Sequence, residues 1–154
     1  MNIVSIKENR NYLSEYCRLC IEEWGTYNIS DELENKIKNK ANKILSNKSD
    51  VISILGLIEN NFLIGVISLF KIDGEERQDL TPWYATMYVK KEYRKNNYSK
   101  LLDKAIKQEA KKLGYKKIYL KSNLHNYYEK FGAIEMEKLK NGETLYYINL
   151  IDRV

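Results

Sequence analysis

Apolar and polar positions recur along the chain with two different periods, and their succession predicts the elements. Asn2 to Ile6 alternates, which predicts a short opening strand. From Tyr12 to Trp24, Leu13, Tyr16, Cys17, Cys20, Ile21 and Trp24 fall at i, i+3 and i+4 spacing, the apolar stripe of an amphipathic helix, and Gly25 is placed to end it. A second helix opens at Ser30 and runs to about Leu45; its thin apolar side (Leu33, Ile37, Ala41, Ile44, Leu45) puts it at the periphery. Val51 to Ile58 and Phe62 to Ile72 are β-rich runs joined by Glu59, Asn60 and Asn61, a hairpin signal because asparagine tolerates φ > 0. Asp73 to Pro82 is a polar turn ending in the chain's only proline, so the next strand, Tyr84 to Val89, starts after it.

Leu102, Ala105, Ile106, Ala110 and Leu113 then mark a long helix closed by Gly114, and Lys116 to Lys121, with Ile118 and Leu120 on one side, is a strand. Strand, helix and strand in so short a span form a right-handed βαβ unit, which makes the two strands parallel. Asn126 to Phe131 predicts a short helical turn ended by Gly132. Ala133 to Glu137 and Thr144 to Ile151 predict a closing hairpin around Asn141–Gly142. The expected whole is a mixed α/β fold in one domain, residues 1–154, with no repeat and no low-complexity linker.

Composition narrows this only a little. With 44% hydrophobic and 31% charged residues the chain has the balance of a protein that folds around a core. No apolar run approaches the roughly 20 residues of a membrane-spanning helix, and MNIVSIKENR lacks the apolar centre of a secretory signal, so a cytoplasmic location without membrane contact is expected. Cys17 and Cys20 could be a redox or metal pair, but with one histidine, His125, and no further cysteine they read as small buried hydrophobes, and no metal is expected. The net charge of +5 comes from lysines mixed with acids. Asp103 and Glu109 interrupt the cations of Lys100 to Lys112, which argues against nucleic acid as a partner.

Candidate chemistry gathers between the Tyr84 strand and the Leu102 helix. Lys90 to Asn97 carries Lys90, Lys91, Arg94 and Lys95, and a strand that enters a helix through such a loop leaves the first helical N–H groups and the positive dipole end free for an anion. Considered alone, the segment could equally be an ordinary polar turn.

Val89 to Leu102, VKKEYRKNNYSKLL, resembles the acetyl-CoA-binding segment of the GCN5-related N-acetyltransferase (GNAT) superfamily, V-x-P-E-Y-R-G-x-G-x-G/A, whose R-x-x-G-x-G/A part reads R-K-N-N-Y-S here, with Asn97 and Ser99 at its two glycine positions. Tyr127 to Gly132, YYEKFG, resembles the superfamily's closing Y-E-K-x-G-F, with Ala133 in place of the final aromatic. The element order is also similar. The resemblance implies a GNAT fold: three layers, a mixed sheet of about seven strands flanked by about four helices, and central parallel strands that splay at the cofactor. It implies acetyl-CoA as co-substrate, with main-chain groups of Met87, Tyr88 and Val89 on the pantetheine arm and thioester. Arg94, Lys95, Asn96, Asn97, Tyr98, Ser99 and Lys100 would surround the pyrophosphate, and Asn123 and Lys130 would complete the cofactor site. Tyr128 maps onto the tyrosine that protonates the leaving thiolate, and Tyr127 beside it reads as a packing residue.

For the acceptor, Trp24, Tyr27, Trp83 and Tyr84 could form an aromatic wall and Glu75, Glu76 and Asp79 an acidic turn, which suits a small cationic amine; core packing explains Trp24 equally well. Glu22, Glu23, Glu76 and Asp79 are candidate bases, with proton loss through water as the other route, and His125 reads as an exposed loop residue. The expected function is acetyl-CoA-dependent N-acetylation of a primary amine of a small molecule by direct attack on the thioester. The alternative is a GNAT-fold module with little or no catalysis that acts as a binding or regulatory protein. A monomer or a homodimer fits either.

Overall fold

The computed structural model describes residues 2–24 and 30–151, with the backbone alone for 24, 30 and 31. Seven strands make one mixed sheet: β1 Asn2–Ser5, β2 Val51–Glu59, β3 Phe62–Phe70, β4 Trp83–Val89, β5 Lys117–Ser122, β6 Ile134–Lys138 and β7 Thr144–Asn149, in the order β1-β2-β3-β4-β5-β7-β6. Three α-helices flank it among the described residues: α1 Leu13–Trp24, α2 Ser30–Leu45 and α3 Tyr98–Lys112. The fourth expected helix is a 3-10 turn, Tyr128–Phe131, because Gly132 at φ 89° ends it before an α-helical turn can repeat.

The turns follow their residues. Asn60 and Asn61 take φ of 50° and 65°, the left-handed pair that lets a two-residue hairpin join β2 to β3. Gly142 at φ 95° turns the longer link, residues 139–143, that joins β6 to β7. β3 ends at Phe70, two residues before its apolar run does.

β3 is buried from Leu63 to Leu69 because helices cover both faces of the sheet. On one face Leu102, Ile106 and Ala110 of α3 pack on Ile64, Ile67, Ile118 and Tyr146. On the other, Leu13, Tyr16, Cys17 and Cys20 of α1 and Ile37 and Ile44 of α2 pack on Ile54, Leu63 and Val66. Both cysteines are free and buried, and burial pushes the Cys17 thiol up to about 12, which suits packing and not reactivity. Among the described residues no helix is long and apolar enough to cross a membrane.

The parallel pair β4–β5 has one registered contact, Trp83 opposite Tyr119, reinforced by the Tyr119 N–H on the Pro82 carbonyl at 3.0 Å. Beyond it the strands part, and β5 continues to Ser122 paired with β7 alone.

Ile106 is wholly buried at the centre of the α3 face, so Ile106→Ala should lower the unfolding free energy by about 2–5 kcal/mol in urea titration. A loss below about 1 kcal/mol would mean that α3 does not seal this face.

Candidate active site

Where β4 leaves β5 it also buckles. Val66 of β3 faces Tyr88 and Ser68 faces Ala85, so two steps of β3 are matched by three of β4. The extra residue lies at Thr86–Met87, and Thr86 sits at φ 52°, a region that β-branched residues rarely enter. Its Oγ1 donates to Ser68 Oγ at 2.5 Å, and Ser68 Oγ is 3.0 Å from Tyr16 Oη. Two cavities open beside the bulge, and Met87 lines both.

The first, of about 500 Å³, lies at the start of α3. Met87, Tyr88, Val89, Arg94, Lys95, Asn97, Tyr98, Ser99 and Lys130, all named from the sequence, line it. Arg94 Nε donates to the Val89 carbonyl at 2.8 Å, and its guanidinium lies 5.3 Å from the centre of the Tyr88 ring, so the loop is tied to the strand end. Lys95 and Asn97 take φ of 70° and 61°. Asn97 therefore adopts the conformation for which the motif carries glycine. Among the described residues no protein acceptor meets the backbone N–H of Lys95, Asn96, Asn97, Tyr98 or Ser99, and no side chain caps the helix. These amides, with the helix dipole and two cations, form a cradle that fits a diphosphate.

Three expected residues lie outside this cleft. Asn96 turns its amide back to the carbonyls of Tyr93 and Arg94 at 3.1 and 3.4 Å, which stiffens the loop. Lys100 is exposed, with its N–H on the Asn97 carbonyl. Asn123 is exposed at the bend after β5, and its neighbour Leu124 lines the cleft instead. Tyr127, read from the sequence as a packing residue, also lines it, with Lys130 Nζ 4.0 Å from its ring centre. Its place in the motif beside Tyr128 was the available signal.

The second cavity, of about 610 Å³, lies across the bulge between α1, α2, β4 and β5. Tyr128 forms one wall, edge-on to Tyr84 and Tyr127 with centroids 6.1 and 4.8 Å away. Burial, and to a lesser degree Tyr127, raises the Tyr128 phenol above its ordinary range, so it stays protonated at neutral pH. Tyr84 is held by its hydroxyl on Asp103 Oδ1 at 3.0 Å, and Asp103 is paired with Lys107 at 2.9 Å.

The acceptor-side carboxylates differ from those expected. Asp73 and Glu143 line this cavity, with Lys121 and Lys40. Lys121 Nζ donates to the Asp73 carbonyl at 2.6 Å. Burial raises the Asp73 carboxyl, Lys121 opposes that shift and Glu143 adds to it. Asp79 is instead exposed in a bidentate pair with Arg77, which lowers its carboxyl. Glu76 accepts the Lys140 and Asn141 N–H groups and so fastens the β6–β7 hairpin. Trp83 is wholly buried against Leu139 and Leu145, with Nε1 on the Leu80 carbonyl, and forms core, not an acceptor wall. Glu22 pairs with Arg18 at 3.8 Å, Glu22 and Glu23 line a separate hollow beside Tyr88, and His125 is exposed. The Trp24 side chain and Tyr27 lie outside the described residues.

A splayed parallel pair with an amide-lined cradle on one side of its bulge and a carboxylate-bearing cavity on the other has room for two substrates. The chain belongs to the acetyltransferase (GNAT) family, whose model matches residues 10–133, and it is an N-acetyltransferase with acetyl-CoA as co-substrate. No curated protein matches it. Among solved structures it is similar to the PaiA N-acetyltransferase of Thermoplasma acidophilum in complex with coenzyme A (TM-score 0.61, 23% identity, 97% of this chain and 99% of that one). It is similar also to a GNAT-family acetyltransferase of Staphylococcus aureus Mu50 (0.64, 21%, 97% and 99%) and to the aminoglycoside 6′-N-acetyltransferase of Enterococcus faecium (0.69, 15%, 100% and 99%). At these identities the likeness is one of fold.

Asn97→Gly should keep acetyl-CoA affinity within about threefold by calorimetry, whereas Asn97→Val, which resists φ 61°, should weaken it at least about tenfold, the scale of ~1–3 kcal/mol of backbone strain. Equal affinities would mean that the left-handed residue does not shape the cradle.

Proposed function

We propose that the chain, acting as a single domain, acetylates the primary amine of a small cationic molecule by direct attack of that amine on the thioester of acetyl-CoA. The observation that carries this reading is the 3-10 turn at the bulge: Tyr127 lines the cleft with the free amides, and Tyr128 lines the cavity with Asp73 and Glu143. One turn thus borders both chambers where they meet at Met87.

When bound, acetyl-CoA supplies the activated acetyl group. The amides of residues 95–99, with Arg94, Lys95 and Lys130, hold its phosphates, and the main chain of Met87 to Val89 aligns the arm. Asp73 and Glu143 attract the acceptor's positive charge and orient it towards Met87. Lys121 fixes the Asp73 loop through its carbonyl. The amine gives up its ammonium proton to water in the open cavity and attacks as the free base; as the C–S bond breaks, Tyr128 Oη, kept protonated by burial, gives its proton to the departing sulfur and regains one, through water, from the N–H of the adduct. The aminoglycoside acetyltransferase likeness supports a cationic acceptor. The reading as a non-catalytic module rested on the missing glycines, and Asn97 at φ 61° removes half of that ground.

Thiol release from acetyl-CoA, measured across a panel of cationic, neutral and anionic amines, tests the assignment. Tyr128→Phe should lower kcat by about 10²–10⁴-fold with acetyl-CoA affinity nearly unchanged. Asp73→Asn should raise KM for cationic amines more than for neutral ones. Full turnover in Tyr128→Phe would remove Tyr128 from the chemistry, and no release with any amine would favour the non-catalytic module.

A further inference from the structure

The bulge that joins the two chambers is braced from the far side of the sheet. Thr86 is β-branched, stands at φ 52° and lines the acceptor cavity. Glycine would adopt that φ freely, so a threonine there needs a reason in its side chain. Its hydroxyl donates to Ser68 Oγ at 2.5 Å, and Ser68 Oγ lies 3.0 Å from Tyr16 Oη. Ser68 and Tyr16 are both wholly buried. Three hydroxyls on three elements, α1, β3 and β4, therefore form one chain, wholly buried at Tyr16 and Ser68 and half-buried at Thr86, that ends on the residue with the least favourable backbone in β4.

The chain is suited to holding geometry and not to moving a proton. Burial raises the Tyr16 phenol far above its ordinary range, so it neither ionises nor accepts a proton at working pH. Tyr16 is one helical turn before Cys20 and Ile21, which line the acceptor cavity, so the same chain sets the α1 wall against the bulge. Hydrogen bonds buried in this way are costly to leave unpaired and select one arrangement of the groups that make them.

We propose that Tyr16 and Ser68 are positioning residues for acetyl transfer: acting through the Thr86 hydroxyl, they hold β4 in its buckled form, so that the Met87 main chain is presented where the two cavities meet. The inference rests on the reading of the site as the place of acetyl transfer, but the brace itself has a readout that needs no turnover.

The test compares Thr86→Gly, which fits φ 52° but lacks the hydroxyl, with Thr86→Ser, which keeps it, and with Tyr16→Phe. In each, the melting temperature, kcat, the two KM values and the exchange rates of the Met87 and Tyr88 amides are measured. In Thr86→Gly the relief of strain at φ 52° offsets the lost hydrogen bond and the added chain entropy, so the melting temperature should change little, while kcat should fall at least about tenfold and exchange at Met87 and Tyr88 should quicken by a similar factor. Thr86→Ser should stay within about threefold of the parent in all of these, and Tyr16→Phe should lower kcat with KM for acetyl-CoA unchanged. Parental exchange rates in Thr86→Gly would overturn the brace, as would a loss of kcat that only follows a loss of melting temperature. If the parent acetylates no amine, the functional reading fails, and the exchange rates still decide the brace.

Discussion

Two parallel strands that meet once and then part are the constraint on which the rest depends. Trp83 closes the joint: it is wholly buried, anchored by Nε1 to the Leu80 carbonyl, and its ring lies 6.1 Å from that of Tyr119. Past this point β4 and β5 no longer satisfy each other's backbone groups, and such groups need partners elsewhere. The bulge at Thr86 bends β4, and from its end the chain passes through a 3-10 turn, Lys91–Tyr93, and a short loop into α3. The free amides of the α3 start therefore lie next to a free strand end, and neither requires a dedicated side chain.

Charge divides the space so opened. The α3 side carries Arg94, Lys95 and Lys130 with the positive end of a helix, while the other side carries Asp73 and Glu143 beside Lys121 and Lys40. A chain of net charge +5 thus lines only one of these two cavities with carboxylates. That division leaves the anion-binding character on the α3 side of the bulge, while acids and lysines oppose each other on the other side.

Periodicity and turn residues carried most of the fold in the sequence. The elements from Leu13 to Leu45 and the hairpins at Asn60–Asn61 and Asn141–Gly142 follow local patterns, so they could be read directly. The gathering of residues 87–99 around one cleft was legible for the same reason, since most of them are contiguous and their motif is local. The lining of the other cavity was not. Asp73 and Glu143 come from the β3–β4 loop and the β6–β7 hairpin and meet only because both flank β5, which no spacing reveals. Trp83 and Asp79 were misplaced by the converse fault: aromatic and acidic character suggested a site, whereas burial and the Arg77 pair assign them to structure. The Tyr16–Ser68–Thr86 chain joins three elements and was equally invisible.

A crystal structure of the protein with coenzyme A bound would show whether the start of α3 holds the cofactor. The diphosphate should lie within hydrogen-bond reach, about 3 Å, of the amides of residues 95–99, and the thiol at Met87 facing the Tyr128 hydroxyl. A diphosphate bound away from the start of α3, or a thiol outside the gap between β4 and β5, would contradict that placement.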